Sequence, residues 1–311
     1  MDFLIHIQGD PDSGLTPLLL VHAISGLSIP YLHLKPLRRV NSDGTTTCER
    51  PVYGINSPLY TSADFQMPST FHDLAALYVA EIQRTLLPRG PYLLGGWSMG
   101  GIIALKMAQI LLEQGHQVRK VIMLDSPNPE TFPPFKSEVE HRALVEATYS
   151  QSVAHKLAFA AGETLSESDG SESESEPNDE DEDDSIRHLA DLTRKHIADS
   201  FLLFSNQSSS SSSPGCKRLL PFADDDGNNK KLDTHVVLIK CKTALRIGET
   251  VLLNRSAYML GYMRDKLMNW DADRFRSFER IDFSGDHYGA FDQPYIDELT
   301  GIFCHILADV D

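Results

Sequence analysis

The most constraining feature of the sequence is a serine between two glycines, at a junction of an apolar strand and a helix. Residues 92–96 form a short apolar run that favours a buried strand, and residues 102–114 have the apolar periodicity of a helix. Gly96, Ser98 and Gly100 lie between them in the pattern Gly-x-Ser-x-Gly. The glycines permit a strained turn that projects the serine hydroxyl from the edge of a sheet. This combination predicts a nucleophilic serine.

Strand and helix patterns alternate around this junction, which is typical of a doubly wound α/β sheet. Short apolar runs favour parallel strands, because a strand covered on both faces has no polar side. The predicted strands are residues 4–7, 17–22, 51–55, 92–96, 118–124, 234–242 and 275–283. The predicted helices are residues 71–87, 102–114, 137–161, 185–204 and 295–308. We therefore expect an α/β fold with a mostly parallel central sheet and helices on both faces.

The charge of the chain is concentrated in one segment. The formal net charge is −16, from 28 basic and 44 acidic residues, and residues 163–184 hold 12 acidic residues and no basic one. The remainder carries only −4, and without a basic excess nucleic-acid binding is disfavoured. A second low-complexity tract is the run of serines at 208–213. We predict that both tracts are disordered loops in an insertion over 130–233 of a single domain spanning 1–311.

The sequence favours a cytoplasmic protein without membrane association. It has no apolar run of about 18 residues that would predict a membrane span, and its N-terminus does not resemble a signal peptide. The cysteines are far apart and form no CxxC pair, which argues against a disulfide framework or a zinc site. They are Cys48, Cys216, Cys241 and Cys304.

A serine nucleophile requires a general base, and the base requires a carboxylate that orients it. His287 lies in the loop after the last predicted strand, and loops at strand C-termini are where this fold assembles its sites. His235 begins a predicted strand and His305 lies in the last predicted helix, so we expect both to be structural. His287 is therefore the candidate base.

The candidate acid is Asp125, which ends the strand directly after the nucleophile helix and is expected at the same sheet edge. Glu249, after the following strand, occupies the other position at which such an acid can lie. Asp286 and Asp292 are less favoured, because they are close to His287 in sequence.

An acyl-transfer site also needs two N–H donors for the oxyanion. The backbone of Met99, directly after the nucleophile, is expected to supply one. The other is expected from the loop after the strand at 18–22, where Ile24 is the candidate and Ala23 is the neighbouring alternative. We interpret His22 as a loop-packing residue.

Several segments together resemble the type I and type II thioesterases of polyketide, fatty-acid and nonribosomal-peptide synthases, which belong to the α/β-hydrolase superfamily. The resemblance is good over residues 15–130 and weak over 130–233. It implies an α/β-hydrolase fold, an acid at Asp125 and a helical lid over an acyl channel in the insertion. The segments are LLLVHAISG, PVYGI, GPYLLGGWSMGGIIALKMA, VIMLDSP and GDHY.

The resemblance implies a serine-dependent thioesterase of secondary-metabolite biosynthesis, which acts as a discrete enzyme beside a synthase. Its substrate would be an acyl thioester on the phosphopantetheine of an acyl or peptidyl carrier protein, in product release or editing. Ser98, Asp125 and His287 would supply the chemistry without a metal or cofactor. Two alternatives remain open: an esterase or cyclising release enzyme with the same triad, and a non-catalytic module that binds a partner.

Overall fold

The computed structural model describes residues 3–40, 46–154, 179–209, 219, 231–243 and 261–311. The strands are β1 (Leu4–Gln8), β2 (Leu18–Val21), β3 (Arg38–Val40), β4 (Thr46–Glu49), β5 (Val52–Ile55), β6 (Tyr92–Trp97), β7 (Val118–Leu124), β8 (Leu232–Cys241) and β9 (Phe275–Phe283). The longer α-helices are α1 (Phe71–Thr85), α2 (Met99–Glu113), α3 (Glu138–Tyr149), α4 (Asp179–Ser209) and α5 (Ile296–Leu307). A short π-helix, Ser150–Ala154, follows α3.

Seven of the strands form one sheet in the order β1-β5-β2-β6-β7-β8-β9. The edge strand β1 is antiparallel to β5, and every other neighbouring pair in this sheet is parallel. This confirms the predicted α/β fold with a mostly parallel sheet. Strands β3 and β4 pair separately as a two-stranded antiparallel sheet, which we did not predict.

The central strands are buried on both faces, and alternate residues enter different cores. Leu19 and Val21 of β2 belong to a core that includes α1, α2 and the helices between β7 and β8. Leu18 and Leu20 of the same strand belong to a second core with α5. The sheet is therefore covered by helices on both faces, as predicted. The candidate site lies at the carboxyl ends of its parallel strands.

The predicted insertion lies between β7 and β8, and we refer to α3 and α4 as the lid helices. Helix α4 begins at Asp179, six residues before the predicted start, so the end of the acidic tract is helical and not part of a loop. Carboxylates in the first turns of a helix are stabilised by its dipole, which explains this earlier start. The helix continues to Ser209, so the first two serines of the 208–213 run are helical, contrary to the prediction of a loop. The rest of the acidic tract (163–178) and residues 210–213 lie outside the described residues.

None of the helices in the described ranges has the length and apolar character needed to span a bilayer.

Candidate active site

Ser98 lies in a strained turn between β6 and α2. Its backbone has φ 57° and ψ −120°, a conformation that costs about 1–3 kcal/mol for a residue other than glycine. A Cβ atom at Gly96 would overlap the carbonyl of Gly100, and one at Gly100 would overlap the carbonyl oxygen of Val21. Both positions therefore require glycine. The N–H of Ser98 donates to the carbonyl of Leu124 at 2.8 Å, which ties the turn to the neighbouring strand.

Met99 is the first residue of α2 and is fully buried. The first N–H groups of a helix have no partner within the helix, and the helix dipole favours negative charge beside them. The backbone N–H of Met99, directly after Ser98, is therefore at the position where a helix N-terminus offers a donor to a negative charge.

Asp125 and His287 form a direct pair, although 162 residues separate them in sequence. Nδ1 of His287 lies 2.7 Å from Oδ2 of Asp125, and the N–H of Cys241 donates to Oδ1 of the same carboxylate at 3.1 Å. Asp125 is 7% exposed and has φ 46°, in the left-handed region that aspartate tolerates better than most residues. Because the carboxylate accepts from Nδ1, this pair leaves Nε2 of His287 without the proton in the neutral ring.

Trp97 connects His287 to the Ser98 turn. Its indole packs on the His287 imidazole with ring centroids 5.4 Å apart, and its chain neighbour is Ser98. Within the described part of the chain, no hydrogen bond links the Ser98 hydroxyl to His287. Such bonds are often long in free enzymes and shorten when substrate binds.

The other acids and histidines considered from the sequence have different places. Glu249 lies outside the described residues. Oδ1 of Asp286 accepts the N–H groups of Tyr288 and Gly289, at 3.0 and 2.8 Å, and so shapes the turn after His287.

Both alternative histidines lie away from the pair of Asp125 and His287. His235 is on β8 and its Nδ1 bonds to the hydroxyl of Ser277. His305 is exposed on α5.

Tyr31 is a positioning residue that we did not predict. Its hydroxyl accepts the N–H of Trp97 at 2.8 Å and donates to the carbonyl of Val21 at 2.6 Å. It therefore bridges β2 and β6 where they separate, one residue before Ser98. Burial raises the pKa of this hydroxyl above its ordinary value, which keeps it protonated as a donor. A tyrosine in the short 3-10 helix Ile29–His33 carries no sequence signal for this role.

Ile24 lies in the loop that follows β2, and two buried histidines contact this loop. Nδ1 of His22 bonds to the carbonyl of Ala23 at 2.7 Å, while the Tyr78 hydroxyl donates to Nε2 at 2.6 Å. Burial, assisted by the nearby His196, lowers the pKa of His22 to about 3. His22 is therefore a neutral packing residue at physiological pH, as we interpreted it.

Among the described residues there is no cluster of three histidine, cysteine, aspartate or glutamate side chains that could hold a metal ion. Burial, followed by the charge of Asp125, raises the pKa of the Cys241 thiol, so Cys241 stays protonated beneath the site.

Three features together define an α/β hydrolase. They are a mostly parallel sheet with this strand order, a serine at the turn into the helix after β6, and an Asp–His pair at the same edge. The Thioesterase domain family model matches residues 16–158. Thioesterase pytI of Aspergillus terreus is 38% identical over 326 residues, covering 100% of both chains. The chain therefore belongs to the thioesterase family, whose members hydrolyse thioester bonds.

Two further relatives extend the comparison. Non-reducing polyketide synthase PKS16 of Cladonia grayi is 38% identical over 128 residues, which are 41% of this chain and 6% of that protein. The NocB thioesterase domain, solved in covalent complex with a fluorophosphonate nocardicin G analog, superposes with a TM-score of 0.59 at 19% identity, covering 98% of this chain and 99% of that one. At this identity the structural match shows the fold alone.

Proposed function

We propose that the chain is a serine-dependent thioesterase in which Ser98 is the nucleophile, His287 the general base and Asp125 the orienting acid. The observation that carries this proposal is the 2.7 Å contact between His287 Nδ1 and Asp125 Oδ2 at the sheet edge that also bears the Ser98 turn. This contact fixes the imidazole tautomer and stabilises the imidazolium that forms when Ser98 loses its proton.

The proposed reaction has two halves. In the first, His287 takes the proton of Ser98 as the hydroxyl attacks the thioester carbonyl, and then gives it to the departing thiol. In the second, His287 activates a water molecule that hydrolyses the acyl-serine. The N–H groups of Met99 and Ile24 would stabilise the oxyanion of both tetrahedral intermediates.

The proposed substrate is an acyl group on the phosphopantetheine of an acyl or peptidyl carrier protein. Similarity to a polyketide synthase over 128 residues, and to thioesterase pytI over its whole length, supports this choice. The reaction would release a product or remove a stalled acyl group from a polyketide or nonribosomal-peptide synthase. Because the three side chains and two N–H groups supply the chemistry, the proposal includes no metal or cofactor.

The lid helices support an acyl-binding role for the segment between β7 and β8. Phe132, Phe201 and Phe204 contact one another, with ring centroids of 5.3 Å between Phe132 and Phe204 and 6.2 Å between Phe132 and Phe201. Phe204 also contacts Phe71 at the start of α1. This aromatic packing attaches α4 to the sheet domain, as expected of a lid that covers an acyl channel.

A comparison of leaving groups tests the proposed substrate class. We expect acyl-pantetheine thioesters to be hydrolysed with at least about tenfold higher kcat/KM than oxygen esters of the same acyl group. A tenfold ratio corresponds to a difference of about 1.4 kcal/mol in transition-state stabilisation. The rates are corrected for the uncatalysed hydrolysis of each ester, and the products are identified by mass spectrometry.

The same assay separates the alternatives. Preference for the oxygen esters would favour a small-molecule esterase, and a lactone or other cyclic product would favour a cyclising release enzyme. Turnover no faster than the uncatalysed rate for every acyl group tested would favour a non-catalytic binding module. Each of these three results contradicts the proposed function.

A further inference from the structure

Three consecutive carbonyl groups in the loop after β2 accept hydrogen bonds from side chains. Ala23 accepts from Nδ1 of His22 at 2.7 Å, and Ser25 accepts from the hydroxyl of Tyr60. The carbonyl of Ile24, between them, lies 2.9 Å from Nδ1 of His196. Because a carbonyl oxygen only accepts, both imidazoles must carry their proton on Nδ1.

These bonds determine where the N–H groups of the loop point. In a trans peptide the C=O and N–H bonds point in opposite directions within one plane. The bond from His22 to the carbonyl of Ala23 therefore orients the N–H of Ile24. The bond from His196 to the carbonyl of Ile24 orients the next peptide plane, between Ile24 and Ser25. Together the two bonds restrict rotation of the Ile24 backbone.

His196 differs from the other two donors because it belongs to a lid helix, 172 residues from Ile24. It lies on α4, is fully buried, and packs edge-on against His22 with ring centroids 5.0 Å apart. A Cβ atom at Gly26 would lie 2.7 Å from Cδ2 of His196, so only glycine permits this approach. One turn earlier on α4, the hydroxyl of Thr193 is 3.2 Å from that of Tyr60.

The two ring nitrogens of His196 have different surroundings, because within the part of the chain that the structure describes Nδ1 is hydrogen-bonded and Nε2 is not. Burial lowers the pKa of His196 to about 4, so the ring is neutral at physiological pH. Nε2 is buried and has no hydrogen-bond partner among the described residues. A phenylalanine of similar shape would remove this unpaired acceptor but would leave the carbonyl of Ile24 without the donor from His196. What the imidazole adds is the donor to the carbonyl of Ile24.

We propose that His196 is a positioning residue through which lid helix α4 holds the Ile24 N–H in the orientation needed to bind the oxyanion. The proposal rests on the proposed function, in which Met99 and Ile24 supply the oxyanion donors. It makes the acylation rate depend on the lid being docked, because withdrawal of α4 would release the carbonyl of Ile24. An acyl chain that stabilises the docked lid would thereby promote its own transfer.

The test compares His196→Phe with a matched variant, His141→Phe. Nε2 of His141 on α3 lies 2.9 Å from the carbonyl of Ala198 on α4. This control therefore also removes one hydrogen bond between an imidazole and a backbone carbonyl. We expect His196→Phe to lower kcat for acyl-pantetheine hydrolysis by about 10–100-fold with KM changed less than about threefold, since one oxyanion donor is worth about 10²–10³-fold. His141→Phe should change both constants less than about threefold.

A conservative variant keeps the proposal falsifiable if His196→Phe folds poorly. In His196→Asn the side-chain amide can donate from nearly the position of Nδ1. This variant should therefore recover most of the kcat that His196→Phe loses, with the same thermal midpoint as the wild type. Equal effects of the two phenylalanine variants, an effect on KM alone, or no recovery with asparagine would overturn the proposal.

Labelling of the wild-type protein separates this inference from the proposed function. If acyl-pantetheine does not acylate Ser98 in the wild-type protein, then the proposed function fails, and the inference fails with it. If Ser98 is acylated at the same rate in the wild type and in His196→Phe, then only the role of His196 is wrong.

Discussion

Ser98→Ala is expected to lower kcat for acyl-pantetheine hydrolysis by about 10⁴–10⁶-fold, because the variant has no hydroxyl to form the acyl intermediate. Any residual rate would come from the oxyanion donors and from substrate binding. Initial rates at saturating substrate, measured by the release of free thiol, provide the test.

The folded state should be unaffected by this substitution. Ser98 is half-buried, its structural hydrogen bond uses the backbone N–H, and alanine experiences the same strain as serine at φ 57°. The thermal midpoints of wild type and variant should therefore agree. Ser98→Cys is the companion variant, since its thiol can still be acylated and should retain measurable turnover. A Ser98→Ala protein with more than about a tenth of wild-type activity would show that another group is the nucleophile.

Asp125→Asn should lower kcat by about 10⁴-fold while leaving the fold intact. The amide oxygen can still accept the N–H of Cys241, which holds the side chain in place. The amide nitrogen then faces Nδ1 of His287 and stabilises the tautomer with its proton on Nε2, which cannot accept the proton of Ser98. The kcat of the purified variant and its thermal midpoint are the two measurements.

Asp286→Asn is the matched control for Asp125→Asn, because both substitutions remove one carboxylate near His287. Asp286 accepts the N–H groups of Tyr288 and Gly289 through Oδ1, and an amide oxygen can accept them equally. This variant should retain most of the activity. Comparable losses in the two variants would mean that Asp125 contributes only to local charge and not to the orientation of His287.

Much of the sheet could be predicted from the sequence because its strands are buried on both faces. Such strands are short apolar runs with sharp ends, and β7 has the predicted bounds, 118–124. The residue after a parallel strand lies at the carboxyl edge of the sheet, so the strand assignment also placed Asp125 and the loop of His287. Their 2.7 Å contact is the geometry expected from that reasoning.

The contacts between the lid and the site could not be predicted. His196 lies in a helix whose apolar face only indicates that the helix packs against something. The pattern holds no information about which of its residues meets a loop 172 positions earlier. Tyr31 is similar, because its bonds to Trp97 and Val21 depend on how two strands diverge in space. Both roles arise from packing between distant segments.

Helix boundaries show a different limit. The acidic residues at 179–184 are compatible with a solvated loop by composition, and with a helix N-terminus by their interaction with the helix dipole. The rest of α4 packs against the sheet domain, and this context favours the helix. Similarly, α2 begins at Met99, three residues before the predicted start, because the helix follows the Ser98 turn without an intervening loop.

The most direct test of the central claim, that the thioesterase acts through an acyl group on Ser98, is peptide mapping of the acylated enzyme. The protein is mixed with acyl-pantetheines, quenched in acid within milliseconds to seconds and digested with trypsin. The tryptic peptide 90–106 contains Ser98 as its only serine and contains no cysteine or threonine. We expect this peptide to gain the mass of the acyl group, and we expect Ser98→Ala to abolish the gain. Turnover with this peptide unmodified, or with the acyl group on another peptide, would show that Ser98 is not the nucleophile.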